Sequence, residues 1–470
     1  LSELLLEIQA GDQLSSGIFP GLPGEAPILW ADGENIVFDS GQVKKSPGFT
    51  RLDTDTNFAA TPSDLITAKT SAERRAYIGA GGSIYAYRTA DDVTQIGSGF
   101  SAGGRWVLIP WGNWLFGTND TTDGLQIWKH TENVLDTSPA SVTTPFTRCK
   151  TLAKLNNSLI AFNTSNSPYI AEYCDSGNPE TGWTPTLTGS AGNLELRDLD
   201  SDVIAVCTLA GGLGVYTGEN LSLFRFVGGT LRFGWKVVLE SVGAVSPRSV
   251  VSTGNYNYGI TKDFVFVTDG NSFTHIHEPA VKGWLDENVD WSRKAEVYGY
   301  HDKQSSSIVW LLPMVSGGMK GIVYRYSKGS WTKLAADMVV GAEYGVWDEA
   351  FTCDSTGIYR QEKNIYNKGS SPLVSYVYTK PLDCGDRRRL KFFSKLELDI
   401  QKTGTVTAYA SYNDKPDDTL NWESLGTVDN ELWMHREAPF VSIKLEAAGL
   451  NSQFKLNGAK LHGSFTGWLN

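Results

Sequence analysis

The sequence is short of most features that announce chemistry. Its 470 residues hold five cysteines (Cys149, Cys174, Cys207, Cys353 and Cys384), widely spaced and with no Cys-x-x-Cys pair. That pattern signals neither a zinc site nor a disulfide scaffold, and the thiols are expected to be buried and reduced, as in a protein made in a cytoplasm. Positive charge is also scarce: 41 Lys and Arg against 52 Asp and Glu leave a net charge of −11. Proteins that grip nucleic acid by its phosphates are usually basic, so tight DNA binding is not expected, although an acidic wall would let DNA slide past. The longest apolar run, residues 308–312 followed by Pro313, Met314 and Val315, is far too short to span a bilayer. Residues 1–10 contain Glu3 and Glu7 and no basic leader, so no signal peptide is expected. With only 4 Met and few sustained i, i+3, i+4 apolar patterns, the chain does not look helical. Walker lysine motifs and Gly-x-Ser-x-Gly elbows are absent.

What is abundant is glycine and aromatic residues: 49 Gly, 15 Trp, 19 Tyr and 20 Phe. Aromatics favour strands and glycine supplies the turns between them, so the balance predicts an all-β protein. A short phrase recurs about seven times between residues 76 and 360. Each copy is an apolar or aromatic run, a Gly, Asp, Asn or Ser turn, and usually a second aromatic-rich strand. Examples are Ala76-Tyr77-Ile78 with Ile84-Tyr85-Ala86-Tyr87, Trp114-Leu115-Phe116 with Leu125-Gln126-Ile127-Trp128, and Ile308-Val309-Trp310-Leu311-Leu312 with Val323-Tyr324-Arg325-Tyr326. Strand, turn and strand at this spacing predict a β-propeller of six or seven blades.

Three regions follow. Residues 1–60 are expected to be an extended segment rich in Pro and Gly, with a hairpin in which Ile36 and Phe38 alternate with polar neighbours, Ser40-Gly41 turns the chain and Val43 opens the return strand. Residues 61–368 are the expected propeller, with an insertion at 175–183 expected to project from one rim. A polar stretch from Gln361 to Pro372 suits a domain boundary. Beyond it, residues 369–470 alternate at period two, in Val374-Ser375-Tyr376-Val377-Tyr378, Lys395-Leu396-Glu397-Leu398-Asp399-Ile400 and Phe440-Val441-Ser442-Ile443-Lys444-Leu445 among others. Half-buried antiparallel strands of this kind predict a C-terminal β-sandwich.

Few residues point to catalysis. His275 and His277 would share one face of a strand, but no third ligand is set beside them, so no metal site is assigned. The Ser-x-Asp-x-Gly-x-x-Trp boxes of sialidase-like propellers have no intact copy, and nothing pairs two carboxylates across a cleft. Gly79-Ala80-Gly81-Gly82 and Gly211-Gly212-Leu213-Gly214 open no helix and are read as turns. No cofactor is implied, and the chain is not read as an enzyme. The one dense basic run, Arg387-Arg388-Arg389-Leu390-Lys391, either touches phosphates or pairs with acidic loops of a neighbouring subunit. Arg387, Arg388, Arg389 and Lys391 are therefore the candidate subunit-interface residues. Trp106, Trp111 and Trp114 lie close together and suit either a blade core or stacking on sugar rings.

Several phrases, taken in order, carry a family resemblance. Asn35, Phe38 and Gly41 form an Asn-x-x-Phe-x-x-Gly hairpin ending in Pro47-Gly48, which resembles the opening of the tail nozzle and hub proteins of short-tailed bacteriophages. Asp175-Ser176-Gly177-Asn178-Pro179-Glu180-Thr181-Gly182-Trp183 is similar to their inter-blade Gly-Asp-Pro-x-x-Trp phrase, with Gly182 inserted before Trp183. Cys384-Gly385-Asp386-Arg387-Arg388-Arg389, Trp422, Val441-Ser442-Ile443-Lys444-Leu445-Glu446 and Phe454-Lys455-Leu456-Asn457-Gly458-Ala459 look like their C-terminal β-domain. The resemblance implies a structural virion protein, assembled as a homo-oligomer of six copies below the portal and adaptor. Further tail fibre or tip proteins would bind to it, and double-stranded DNA would pass through the lumen without specific binding. A carbohydrate-binding or glycan-cleaving propeller acting at the host cell surface is the alternative.

Overall fold

The computed structural model describes residues 3–8, 29–53, 57–88, 93–197, 199, 201–229, 232–276, 279–342, 346 and 349–468. Among them, seven four-stranded antiparallel units follow one another along the chain. Their first strands are Pro62–Lys69, Val107–Trp111, Cys149–Leu155, Ala205–Leu209, Val250–Ser252, Tyr298–Asp302 and Val340–Ala342. Each first strand lies against that of the next unit, and the seventh returns to the first, so the units close into a ring. This is a β-propeller.

The repeated phrases sit one to a unit and form its inner strand pairs. In the first unit Arg74–Ala80 pairs with Ser83–Arg88, and in the sixth Ser307–Pro313 pairs with Met319–Arg325. Apolar clusters lie between neighbouring units rather than within them. Tyr77 and Ile84 of the first unit share one with Trp106, Leu115 and Trp128 of the second, and Phe162 of the third packs on Phe224 of the fourth. Tryptophans suit this position because the ring fills the gap while the indole N–H reaches a carbonyl. Trp106 donates to Gly81 O (2.7 Å), Trp128 to Ile96 O (2.9 Å) and Trp310 to Ser249 O (3.1 Å).

The seventh unit is completed from the other end of the chain. Its three strands Val340–Ala342, Phe351–Cys353 and Ile358–Glu362 take Gly48–Arg51 as the fourth. Residues 30–51, within the expected N-terminal segment, thus pair with strands of both the ring and the C-terminal sheets. Trp30–Glu34 pairs with Ser375–Thr379 on one side and meets Ser330–Leu334 of the sixth unit on the other. The sixth unit thereby runs on into a nine-stranded sheet that ends at Glu423–Thr427. The expected hairpin is present, with Ile36–Asp39 against Gln42–Lys45. Its two central residues, Ser40 (φ 54°) and Gly41 (φ 75°), have the positive φ that a two-residue turn of matching twist needs.

The hairpin leads a second sheet, in which Gln42–Lys45 borders the long strand Gln453–Trp468, followed by Arg389–Thr403 and Glu431–Ala438. The two sheets bury one common core, including Phe393, Leu396, Val406, Leu432, Val441, Leu445 and Leu456. The polar stretch around residue 367 is no loose linker. Asn367 Nδ2 donates to Asn451 Oδ1 (2.8 Å) and Asn451 N donates back to Asn367 Oδ1 (2.7 Å), tying ring to C-terminal sheets. The insertion at 175–183 is also anchored: Trp183 is buried beside Phe146 and donates to Pro179 O (2.8 Å). Its aromatic ring is worth more in the gap between the second and third units than on a projecting rim.

Candidate functional site

The basic run begins in a tight turn between Ser375–Thr379 and Arg389–Thr403. Gly385 N donates to Asp383 Oδ1 (3.0 Å) and Arg388 N to Asp386 Oδ1 (2.9 Å), so two short carboxylates shape the turn. Burial pushes the Asp383 carboxyl up, but the Gly385 and Arg387 hydrogen bonds outweigh it and hold it below its usual range. Arg387 and Arg388 are exposed, and the Arg387 guanidinium reaches Asp383 at 2.9 Å. Arg389 lies over the rings of Phe465 (4.4 Å) and Trp468 (5.4 Å), a cation–π arrangement.

Lys391 must be removed from the set. It is fully buried, and its ammonium donates to the carbonyls of Asp386, Arg389 (2.9 Å) and Pro439 (2.7 Å). Three carbonyls satisfy a lysine's three donors, so it staples the turn rather than meeting a partner. What the sequence did not single out is the apolar company of the arginines. Trp468 and Trp433 are 71% and 62% exposed on the same C-terminal sheet, and Trp433 stacks on His435 at 5.6 Å. Glu431–Ala438, which carries Trp433, is an edge strand of that sheet.

The ring centre holds a second constellation. A cavity of about 420 Å³ is lined by residues of all seven first strands. Beside it Asp64 is fully buried at a bulge in the first unit, where Pro62 and Asp64 slip register against the neighbouring strand, while Arg248 and Tyr298 line the cavity. The Asp64 carboxylate takes both arms of Arg248 (2.9 and 2.7 Å), which comes from the approach to the fifth unit. Leu108 N of the second unit donates to it at 2.7 Å, and Tyr298 Oη of the sixth at 3.0 Å. Burial pulls the Arg248 guanidinium down, but Asp64 wins and holds it above the usual arginine range. Burial, followed by the Asp64 charge, pushes the Tyr298 phenol well up. The group is therefore a charged tie across the hub.

The remaining candidates disperse. His275 is exposed and stacks on Phe264 at 4.9 Å, while His277 falls outside the described residues. Trp106 is buried, and Trp111 and Trp114 are half-buried at a hairpin end where Lys154 lies 4.4 Å over the Trp111 ring. Gly81-Gly82 and Ala210-Gly211 turn between strands. Cys149, Cys174, Cys353 and Cys384 are buried and Cys207 is partly covered, and burial pushes the Cys149 and Cys207 thiols up to about 12. Among the described residues, no helix is long and apolar enough to cross a membrane.

No protein-family model and no curated protein matches the chain. Solved structures with a similar course include virginiamycin B lyase from Staphylococcus aureus, at 10% identity and TM-score 0.46 over 65% of this chain and 97% of that one. The β-propeller domain of Myceliophteria thermophila Cps50 (Swd1) matches at 10% identity and TM-score 0.44, over 66% of this chain and 99% of that one. Chaetomium thermophilum Raptor matches at 8% identity and TM-score 0.45, over 67% of this chain and 29% of that one. Likeness at this level says nothing of what the chain does.

Proposed function

We propose that this protein is a structural subunit of a short bacteriophage tail, a nozzle or hub ring below the portal and adaptor, and that it is not an enzyme. Each four-stranded unit is taken as one blade, giving seven, and the two C-terminal sheets as a sandwich. The domains of the proposal are the ring, from about residue 61 to 368, and the sandwich, from about 369 to 470, with residues 30–51 stitched through both. The observation that carries the reading is the hairpin at residues 36–45. This hairpin, one of the phrases that carry the resemblance, joins the C-terminal sheets at Val43 and Lys44, and Arg325 of the ring donates to Phe38 O (3.2 Å). A subunit that must hold its position while a genome moves past needs such a stiff joint between its parts.

Genome passage requires an open path. The centre of this ring is crossed by Asp64 and Arg248, so the lumen of the proposal lies between subunits, six of them around the tail axis. Net charge of −11 per copy suits walls that repel phosphate. Arg387, Arg388, Trp433 and Trp468 offer the mixture of arginine and exposed aromatic side chains common at interface centres. In virions, an antibody to the C-terminal sheets should label the tail tip by electron microscopy; label elsewhere on the particle sinks the assignment. Replacing Arg387 and Arg388 together with Ala should weaken ring assembly without changing the fold, and unchanged assembly removes them from the interface.

A second reading, glycan binding at the host surface, has one observation in its favour. A cleft of about 590 Å³ is lined by Trp284, Tyr376 and Tyr378 together with Asp32, Glu34 and Glu287. Aromatic faces beside carboxylates suit sugar rings. A glycan array decides between the two, since the nozzle reading expects no bound glycan.

A further inference from the structure

A cavity of about 440 Å³ lies where the hairpin at 36–45, the sixth unit and residues 361–366 meet. Its charge runs against that of the chain. Lys44, Lys45, Arg325, Lys333 and Lys363 line it, against Asp39 and Asp302. Both carboxylates are already engaged. Asp39 is held by Lys44 at 2.9 Å, and Asp302 accepts Gln304 N at 3.1 Å and the Ser305 hydroxyl.

The donors are not all engaged. Lys45 is 2% exposed, and its Nζ is buried without a hydrogen-bond partner among the described residues. The Ser330 hydroxyl and Arg325 Nε, in residues of the same cavity wall, are likewise without a partner, while the other arm of Arg325 donates to Phe38 O (3.2 Å) and faces Asp39 at 3.6 Å. A buried ammonium without a counter-charge is strongly unfavourable, and three donors left open around one cavity are the complement of an oxyanion. Burial lowers the Lys45 pKa to about 8, which leaves the ammonium mostly protonated at neutral pH. Val309, Val323 and Leu334 add an apolar wall, and the cavity is far roomier than an inorganic ion needs.

We propose that this cavity binds a small organic anion, its phosphate or carboxylate head on Lys45, Ser330 and Arg325 and its apolar body against Val309, Val323 and Leu334. The proposal is independent of the tail reading. Phenyl phosphate, benzoate and neutral benzyl alcohol, titrated calorimetrically into the full chain, provide the test. At least one anion should bind and raise the melting temperature, while benzyl alcohol should not. The tighter of the two anions identifies the head group. Lys45→Met should weaken binding at least about tenfold, and Ser330→Ala about threefold, through loss of a charged and a neutral hydrogen bond. Neither anion binding at about 10 mM, or Lys45→Met and Ser330→Ala both binding like the parent, overturns the proposal.

Discussion

Gly79 stands within the strand Arg74–Ala80, where an added Cβ would lie 2.5 Å from Cβ of Trp106. The residue is needed because a tryptophan of the next unit rests on its backbone, a reason distinct from the turn that Gly81 and Gly82 make. From the sequence the four-residue phrase is one turn; the structure divides it into a packing surface and a turn. Gly79→Ala should cost about 2 kcal/mol by overpacking and lower the melting temperature by several degrees. An unchanged melt would mean that Trp106 can shift freely. The buried Lys391 makes the same point in reverse. Its place in a basic run suggested an exposed charge, and only the fold shows three carbonyls around it.

Among the elements, Gly48–Arg51 has the largest consequence for its length. The chain's beginning closes its last unit, so the ring is fastened through one short strand. Leu52 N donates to Ile358 O at 2.9 Å, and the two-residue alternation of an antiparallel ladder puts Thr50 N on the Arg360 carbonyl. Thr50→Pro removes that bond and should cost about 2–3 kcal/mol. The ring should then melt earlier in a single transition; an unchanged melting temperature would show that the strand does not hold the ring shut. The hairpin beside it was legible from Ser40-Gly41 and alternating Ile36 and Phe38, because its pairing is local. The pairing of residues 48–51 with 359–362 was not, because nothing in a strand's own sequence names a partner some three hundred residues away.

At the scale of the whole molecule, the tie of Asp64 to Arg248 joins units that the chain separates. Asp64 has no exposure but Arg248 keeps 30%, so replacing Asp64 with Asn leaves a half-buried guanidinium without its counter-charge. Asp64→Asn should lower stability by roughly 1.5–3 kcal/mol, read as a shift in the denaturant midpoint. A shift close to zero would show that the ring centre needs no charge pair.

The sequence by itself determined the strands, their turns and the number of repeated phrases. Alternation, glycine and aromatic content act over a few residues and survive any tertiary arrangement. It also determined the polarity of the C-terminal strands named above, whereas the outward Trp433 between inward Leu432 and Met434 on Glu431–Ala438 is evident only in the structure. Only the tertiary structure decided that residues 30–51 weld ring and C-terminal sheets together, and which basic residues are free. It likewise brought Asp64 to Arg248 and buried Lys45 at a cavity with no hydrogen-bond partner for its Nζ among the described residues. Those outcomes depend on contacts between residues far apart in the chain, whose free energies appear only once the backbone has closed on itself.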